Sequence, residues 1–164
     1  MKTIDIRRSI RSYTNQPVEQ EKIDRILKAA MQAPSAANQR PWEFVVVTNK
    51  ELLEKLSDLS PYSKMVSNAP VAIVLVGRAE RMAIKDMWTQ DMGACTQNLL
   101  LEIVEQGLGG VWLGVAPSEE RMAYVRDILQ LDNVLPFAIV PFGYSDSKNH
   151  YIDRYESERV TYLD

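Results

Sequence analysis

The chain has 164 residues, of which 46% are apolar and 25% charged, the make-up of one globular domain long enough to bury a core. Its net charge of −3 argues against general nucleic-acid binding, which wants a basic face. One cysteine (Cys95) and one histidine (His150) exclude an internal disulfide framework and the usual zinc site. They also leave little material for a Ser–His or Cys–His nucleophile pair, so any chemistry is expected to come from something bound.

The opening MKTIDIRRSIR has no apolar stretch of the kind found in secretory leaders. Thr3 is placed to cap a short helix running towards Arg8. Residues 1–12 hold Lys2, Arg7, Arg8 and Arg11 against Asp5, a basic cluster in an acidic protein. Residues 19–33 read as an amphipathic helix, with Ile23, Ile26, Leu27 and Ala30 on one side and Pro34 ending it. PSAANQRP, 34–41, is a loop, and EFVVVT, 43–48, a strand. Asn49 is placed to cap a helix through about Leu59. VAIVLVG, 71–77, reads as a buried strand, and its apolar run is too short to span a bilayer.

A long helix is expected from about Arg81 to Gln106, apolar almost all round in MGACTQNLLLEIV and therefore buried in a core or a dimer seam. Gly107, Gly109 and Gly110 stop it. GVWLGV, 110–115, reads as a strand, Ser118 as the cap of a helix over 119–131, and LPFAIVPFGY, 135–144, as containing a fourth strand. The polar tail, 145–164, ends in the strand-like RVTYL and lacks the apolar residues to fold alone. It is expected to cross onto this domain or a second copy. The pattern is one domain, 1–164, of four or five strands separated by helices: α/β or α+β. A single cysteine and no visible leader suit a cytoplasmic protein.

GLGGVW, 107–112, begins like a dinucleotide fingerprint but follows a helix and precedes a strand, the reverse of the order that brings phosphate to a helix N-terminus. No GK[ST] is present, so there is no P-loop. An RRxxR taken alone is more often a solvated basic face than a ligand site. Here Arg7 and Arg11 share a side if the helix continues, and Ser9 adds a hydroxyl, a set suited to a small phosphorylated ligand. In PSAANQRPW, 34–42, Ser35, Asn38 and Gln39 offer hydrogen bonds, while Ala36 and Ala37 leave the backbone approachable by a flat heteroaromatic.

RRSIRSY, APSAANQRPWEFVVV, QNLLLEIVEQGLGGVWLG and PFGYSD, in that order and spacing, resemble the blocks of the FMN-dependent nitroreductase family, in its short single-domain members, essentially end to end. The resemblance implies an α+β homodimer, a three-layer α/β/α sandwich around a mixed sheet of four to five strands, with the C-terminal strand crossing to the partner. It implies two FMN sites at the subunit interface. Arg7 and Ser9 then hold the phosphate and ribityl end, with Arg8 assisting, and Arg11 lies near the pyrimidine edge. Pro34, Ser35, Ala36 and Asn38 match the block usually supplied by the other subunit. Trp112, Leu113 and Gly114 match the segment over the flavin's reactive edge. Arg154 matches the basic tail position that meets the phosphate, with Lys148 as the alternative, and Lys64 as a second cation near the ring.

The implied activity is hydride transfer from NADH or NADPH through flavin N5 to a nitroaromatic, quinone or similar acceptor, with no catalytic side chain, no metal, no nucleic acid and no membrane. A different acceptor chemistry (dehalogenation) and a non-catalytic flavin carrier are the alternatives. Arg40 departs from the family pattern, and Gly114 stands where some larger relatives have an acidic residue. Trp88 and Trp112 suit packing or the substrate side, and Cys95 a buried small hydrophobe.

Overall fold

Two β-branched apolar runs dictate the architecture. In the computed structural model, which describes residues 2–163, β2 (Val71–Arg78) is buried on both faces over nearly its whole length. Its side chains alternate: Val71, Ile73 and Leu75 enter one core, and Ala72, Val74 and Val76 a second. β5 (Val134–Gly143) does the same, with Ala138, Val140 and Phe142 on the first side and Ile139 on the other. A doubly buried sheet needs a cover on each face. α2 (Gln20–Ala30) and α4 (Trp88–Glu105) cover the first. α3 (Lys50–Ser57) and α5 (Glu119–Leu129) cover the second. The result is an α+β sandwich of three layers.

The sheet runs β1 (Trp42–Val47), β2, β5, β3 (Gly109–Gly110), with β4 (Leu113–Gly114) on the same flank of β5 as β3. All of these ladders are antiparallel. The parallel component implied by a mixed sheet is confined to an isolated bridge between Ser9 and Gly110.

The strand expected over 110–115 is split into β3 and β4. Pro141, opposite the gap, has no N–H to return to Val111, whose own N–H reaches the Pro141 carbonyl at 3.3 Å. The ladder opens there and Trp112 is freed from it.

The long helix expected from Arg81 begins only at Trp88. Both backbone groups of Ile84 are taken by the Gln39 side chain: its N–H donates to Oε1 (2.9 Å) and its carbonyl accepts from Nε2 (3.2 Å). Short 3-10 turns, Ala79–Arg81 and Lys85–Met87, fill the interval. The apolar breadth of α4 is core, with Met92, Cys95, Leu99, Leu100 and Ile103 buried between the sheet and α2.

α1 (Lys2–Ile6) contains Thr3 rather than being capped by it, and it ends before Arg7. Arg7 and Arg11 therefore do not share a helix side. The tail holds a 3-10 turn, Ser157–Arg159, but the strand expected in 159–163 is not formed; those residues are exposed and pair with no strand among the described residues.

Asn49 and Ser118 cap α3 and α5 as expected, accepting from Leu52 N–H (3.0 Å) and Arg121 N–H (3.4 Å). Asn49→Ala is expected to cost about 1 kcal/mol, read as a lower urea midpoint at unchanged slope.

Candidate active site

Beyond α1 the chain runs extended across the edge of the sheet. Ile10 N–H donates to the Gly110 carbonyl (3.0 Å), and the Tyr13 hydroxyl lies between the carbonyls of Ile10 (2.8 Å) and Pro141 (3.1 Å). Burial raises the Tyr13 hydroxyl well above its ordinary pKa, so it stays a donor. Gly109 permits the close approach: a Cβ there would lie 2.7 Å from Ile10 side-chain atoms. Ile10 is buried, which pins the arginines on either side of it to one place on the fold.

Arg7, Arg8 and Arg154 meet around a cavity of about 380 Å³, whose other walls include Ile4, Asp5, Tyr151 and Asp153. Burial lowers the Arg7 pKa from its ordinary value, and the neighbouring charges of Arg8 and Arg154 lower it further. Arg8 is folded onto backbone, donating to the carbonyls of Arg7 (2.5 Å) and Asp5 (3.1 Å). Its own N–H donates to Asn149 Oδ1 (2.9 Å), and Asn149 Nδ2 donates to the Leu108 carbonyl (3.3 Å), fastening the start of the tail beside the cluster. Arg8 Nε is buried and has no hydrogen-bond partner among the described residues. Among the described residues, none of these three guanidiniums forms an ion pair.

Arg11 lines a second cavity, of about 540 Å³, with Trp112, Leu113, Gly114, Tyr62, Met65, Arg121 and residues 59–61. Trp112 is 37% exposed and leans on Phe137 (centroids 5.5 Å apart), which Trp88 meets edge-on at 5.8 Å. Trp88 is therefore packing, whereas Trp112 presents one side to the cavity. A Cβ on Gly114 would meet nothing nearer than the Ala116 carbonyl at 4.0 Å, so the backbone there is open to approach.

Pro34, Ser35, Ala36 and Asn38 line neither arginine cavity. Their loop is nonetheless rigidly built. Ala37, Asn38 and Arg40 have φ of 48°, 53° and 43°, in the left-handed region that side chains other than glycine resist. Buried Asp91 holds the turn: Oδ1 accepts from Ala36 N–H (2.8 Å) and Oδ2 from Gln39 Nε2 (2.6 Å). The Ser35 hydroxyl accepts from Arg40 N–H (3.0 Å).

Lys64 is paired with Asp58 at 2.6 Å on the surface and does not line the Arg11 cavity. Lys148 is exposed and lines neither arginine cavity. Arg40 lines a separate cavity of about 600 Å³ with Met31, Gln39, Trp42 and Arg81. Burial pushes the Cys95 thiol up to about 12, so it is no nucleophile. No helix is long and apolar enough to cross a membrane among the described residues.

Sequence reasoning passed over Asp91 and Arg121. Asp91 had a signal, being an acid in the first turn of α4 just before its apolar stretch; Arg121, on an ordinary polar helix turn, had none.

The model of the family described as Nitroreductase family matches residues 4–63 and 60–144. A protein of Methanothermobacter thermautotrophicus named "Putative NADH dehydrogenase/NAD(P)H nitroreductase" is 41% identical over 161 residues, spanning 98% of this chain and 84% of its own length. A solved structure from Clostridium acetobutylicum, described as "Putative NADH Oxidase", superposes with a TM-score of 0.94 at 46% identity, covering 97% of each chain. An "FMN-dependent Nitroreductase" from Clostridium difficile gives a TM-score of 0.89 at 32% identity, covering 99% of this chain and 98% of that one. With the family model spanning most of the chain and such relatives matching it nearly end to end, this protein belongs to the nitroreductase family.

Proposed function

We propose that this chain passes a hydride from NADH or NADPH, by way of bound FMN, to a nitroaromatic, quinone or similar acceptor in two alternating half-reactions at one site. The enzyme class is that of its relatives, an NAD(P)H-dependent FMN oxidoreductase.

The observation that carries the reading is the cluster of Arg7, Arg8 and Arg154, three guanidiniums around one cavity that, among the described residues, have no ion pair and include a buried, unpartnered Nε. Asp5 and Asp153 also border the cavity, yet among the described residues neither pairs with an arginine; three gathered guanidiniums repel unless an anion joins them, and their donors match phosphate oxygens in geometry. The FMN phosphate fits that deficit. Arg7 and Arg154 hold it, Ser9 donates or accepts at the ribityl chain, and Arg8 keeps Arg7 and the tail in place through its backbone bonds. Arg11 sets a positive charge beside the ring's pyrimidine edge, where negative charge collects on reduction. Trp112, Leu113 and Gly114 present an aromatic face and an approachable backbone at the reactive edge.

Bound FMN supplies the two-electron chemistry that the chain's own side chains lack. For a nitro acceptor the balance is closed without a further reductant: NAD(P)H loses its hydride, one proton is taken up, the nitro group becomes nitroso, and water leaves.

Two facts support a homodimer. The loop with Pro34, Ser35, Ala36 and Asn38 is tightly built yet lines neither the Arg7 nor the Arg11 cavity of its own chain. The tail leaves Tyr151, Ile152, Tyr155, Val160, Tyr162 and Leu163 exposed, more apolar surface than a free segment of this length comfortably shows. In the dimer each loop completes the partner's flavin site, and the end of each tail, beyond Arg154, lies over the other copy.

Anaerobic stopped-flow mixing of the FMN-loaded protein with NADH and with NADPH tests the reading. Loss of the flavin absorbance band with at least one donor, much faster than free flavin reacts, is expected. No acceleration with either leaves a flavin carrier and overturns the enzymatic reading.

A further inference from the structure

We infer that Arg121 makes the acceptor space selective for planar aromatic acceptors bearing an anionic group, a carboxylate being the simplest. The inference rests on the flavin reading above and deepens it by naming the substrate class.

Arg121 lies in the first turn of α5, where Ser118 caps the helix and fixes its direction. Its Nη1 donates to the Gly114 carbonyl at 3.2 Å, bringing the guanidinium onto the segment that borders the Arg11 cavity. That one hydrogen bond leaves most of the guanidinium N–H donors free. Among the described residues Arg121 has no ion pair. Glu119 and Glu120, in the same turn, do not line the cavity.

The remaining walls state what else the ligand must be. Trp112, Tyr62, Pro61, Leu59, Met65 and Leu113 are apolar or aromatic, which suits a flat ring. Among the described residues no carboxylate lines the cavity, so an anion entering it meets the two cations Arg11 and Arg121. Arg11 is engaged by the flavin edge, and Arg121 is the cation left for the substrate. A forked guanidinium receives a carboxylate through two parallel hydrogen bonds, and the bond to Gly114 holds the fork in position.

The test compares two near-isosteric acceptors, 4-nitrobenzoate and 4-nitrobenzyl alcohol, with wild-type protein, Arg121→Gln and Arg121→Lys, all FMN-loaded. In the wild type the ratio of kcat/KM, carboxylate over alcohol, is expected to exceed unity by about tenfold, the worth of one charged hydrogen bond. It should fall close to unity in Arg121→Gln and recover in part in Arg121→Lys. Calorimetric titration with benzoate should show the same ordering of affinities without turnover. A wild-type ratio near unity, or one unchanged in Arg121→Gln, overturns the inference. Equal loss for both acceptors also overturns it, because it marks a role confined to supporting Gly114. Bleaching of the flavin by NAD(P)H separates the two levels of the argument: a bleached protein without acceptor preference refutes the selectivity alone, and an unbleached one refutes both.

Discussion

Replacing Arg7 and Ser9 together by alanine is expected to weaken FMN retention by about 2–4 kcal/mol, the sum of a charged and a polar contact to the phosphate end. Neither side chain makes a hydrogen bond to another described residue, and the Arg7 guanidinium sits against the like charges of Arg8 and Arg154. Removing them therefore takes nothing from the folded apoprotein and relieves repulsion. The variant should unfold in urea no earlier than the wild type without cofactor, while losing its flavin on dialysis. A double variant that stays fully yellow after exhaustive dialysis contradicts the assignment. One that loses flavin because it is unfolded is recognised by its early urea transition.

Asp91→Ala should have the largest effect on stability of any single polar substitution considered, about 3 kcal/mol, because it removes a buried carboxylate and leaves its donors unpaired. Asp91 is 4% exposed and holds Ala36 N–H and Gln39 Nε2. Gln39 in turn occupies both backbone groups of Ile84. The one carboxylate thus ties the start of α4, the Ile84 turn and a loop with three left-handed residues into a single unit. Without it, Ala37, Asn38 and Arg40 have little reason to keep φ near +50°. Urea unfolding should show the lower midpoint, and FMN binding should weaken as well, because a slackened loop no longer completes the neighbouring site. An unchanged midpoint would mean that the loop holds its shape unaided.

Of these two cases, Arg7 and Ser9 were legible in the sequence and Asp91 was not. The strands VAIVLV and LPFAIVPFG announce themselves because a doubly buried strand is a continuous apolar run, and the alternation of β2 between the two cores follows from the period of two. The caps Asn49 and Ser118 were legible because a capping side chain acts on its own next turn. The arginines were legible as a cluster, and their blocks were legible as those of the family. What escaped depends on partners distant in sequence. Gln39 stops the helix before Trp88 from 45 residues away, and Asp91 holds a loop 55 residues earlier. The break in the 110–115 strand is set by Pro141 on the strand beside it. The tail's expected strand failed for a related reason: its pairing groups have no strand beside them among the described residues.

If the amino-terminal arginines and Arg154 hold a phosphate, the affinity of the protein for flavins must depend on that group. Titrating the apoprotein with FMN and with riboflavin, which has the same ring and ribityl chain without the phosphate, tests this most directly. One tightly bound FMN per chain is expected, with riboflavin bound about a hundredfold more weakly or worse, the weight of the charged contacts that riboflavin cannot make. Equal affinity for the two would contradict it.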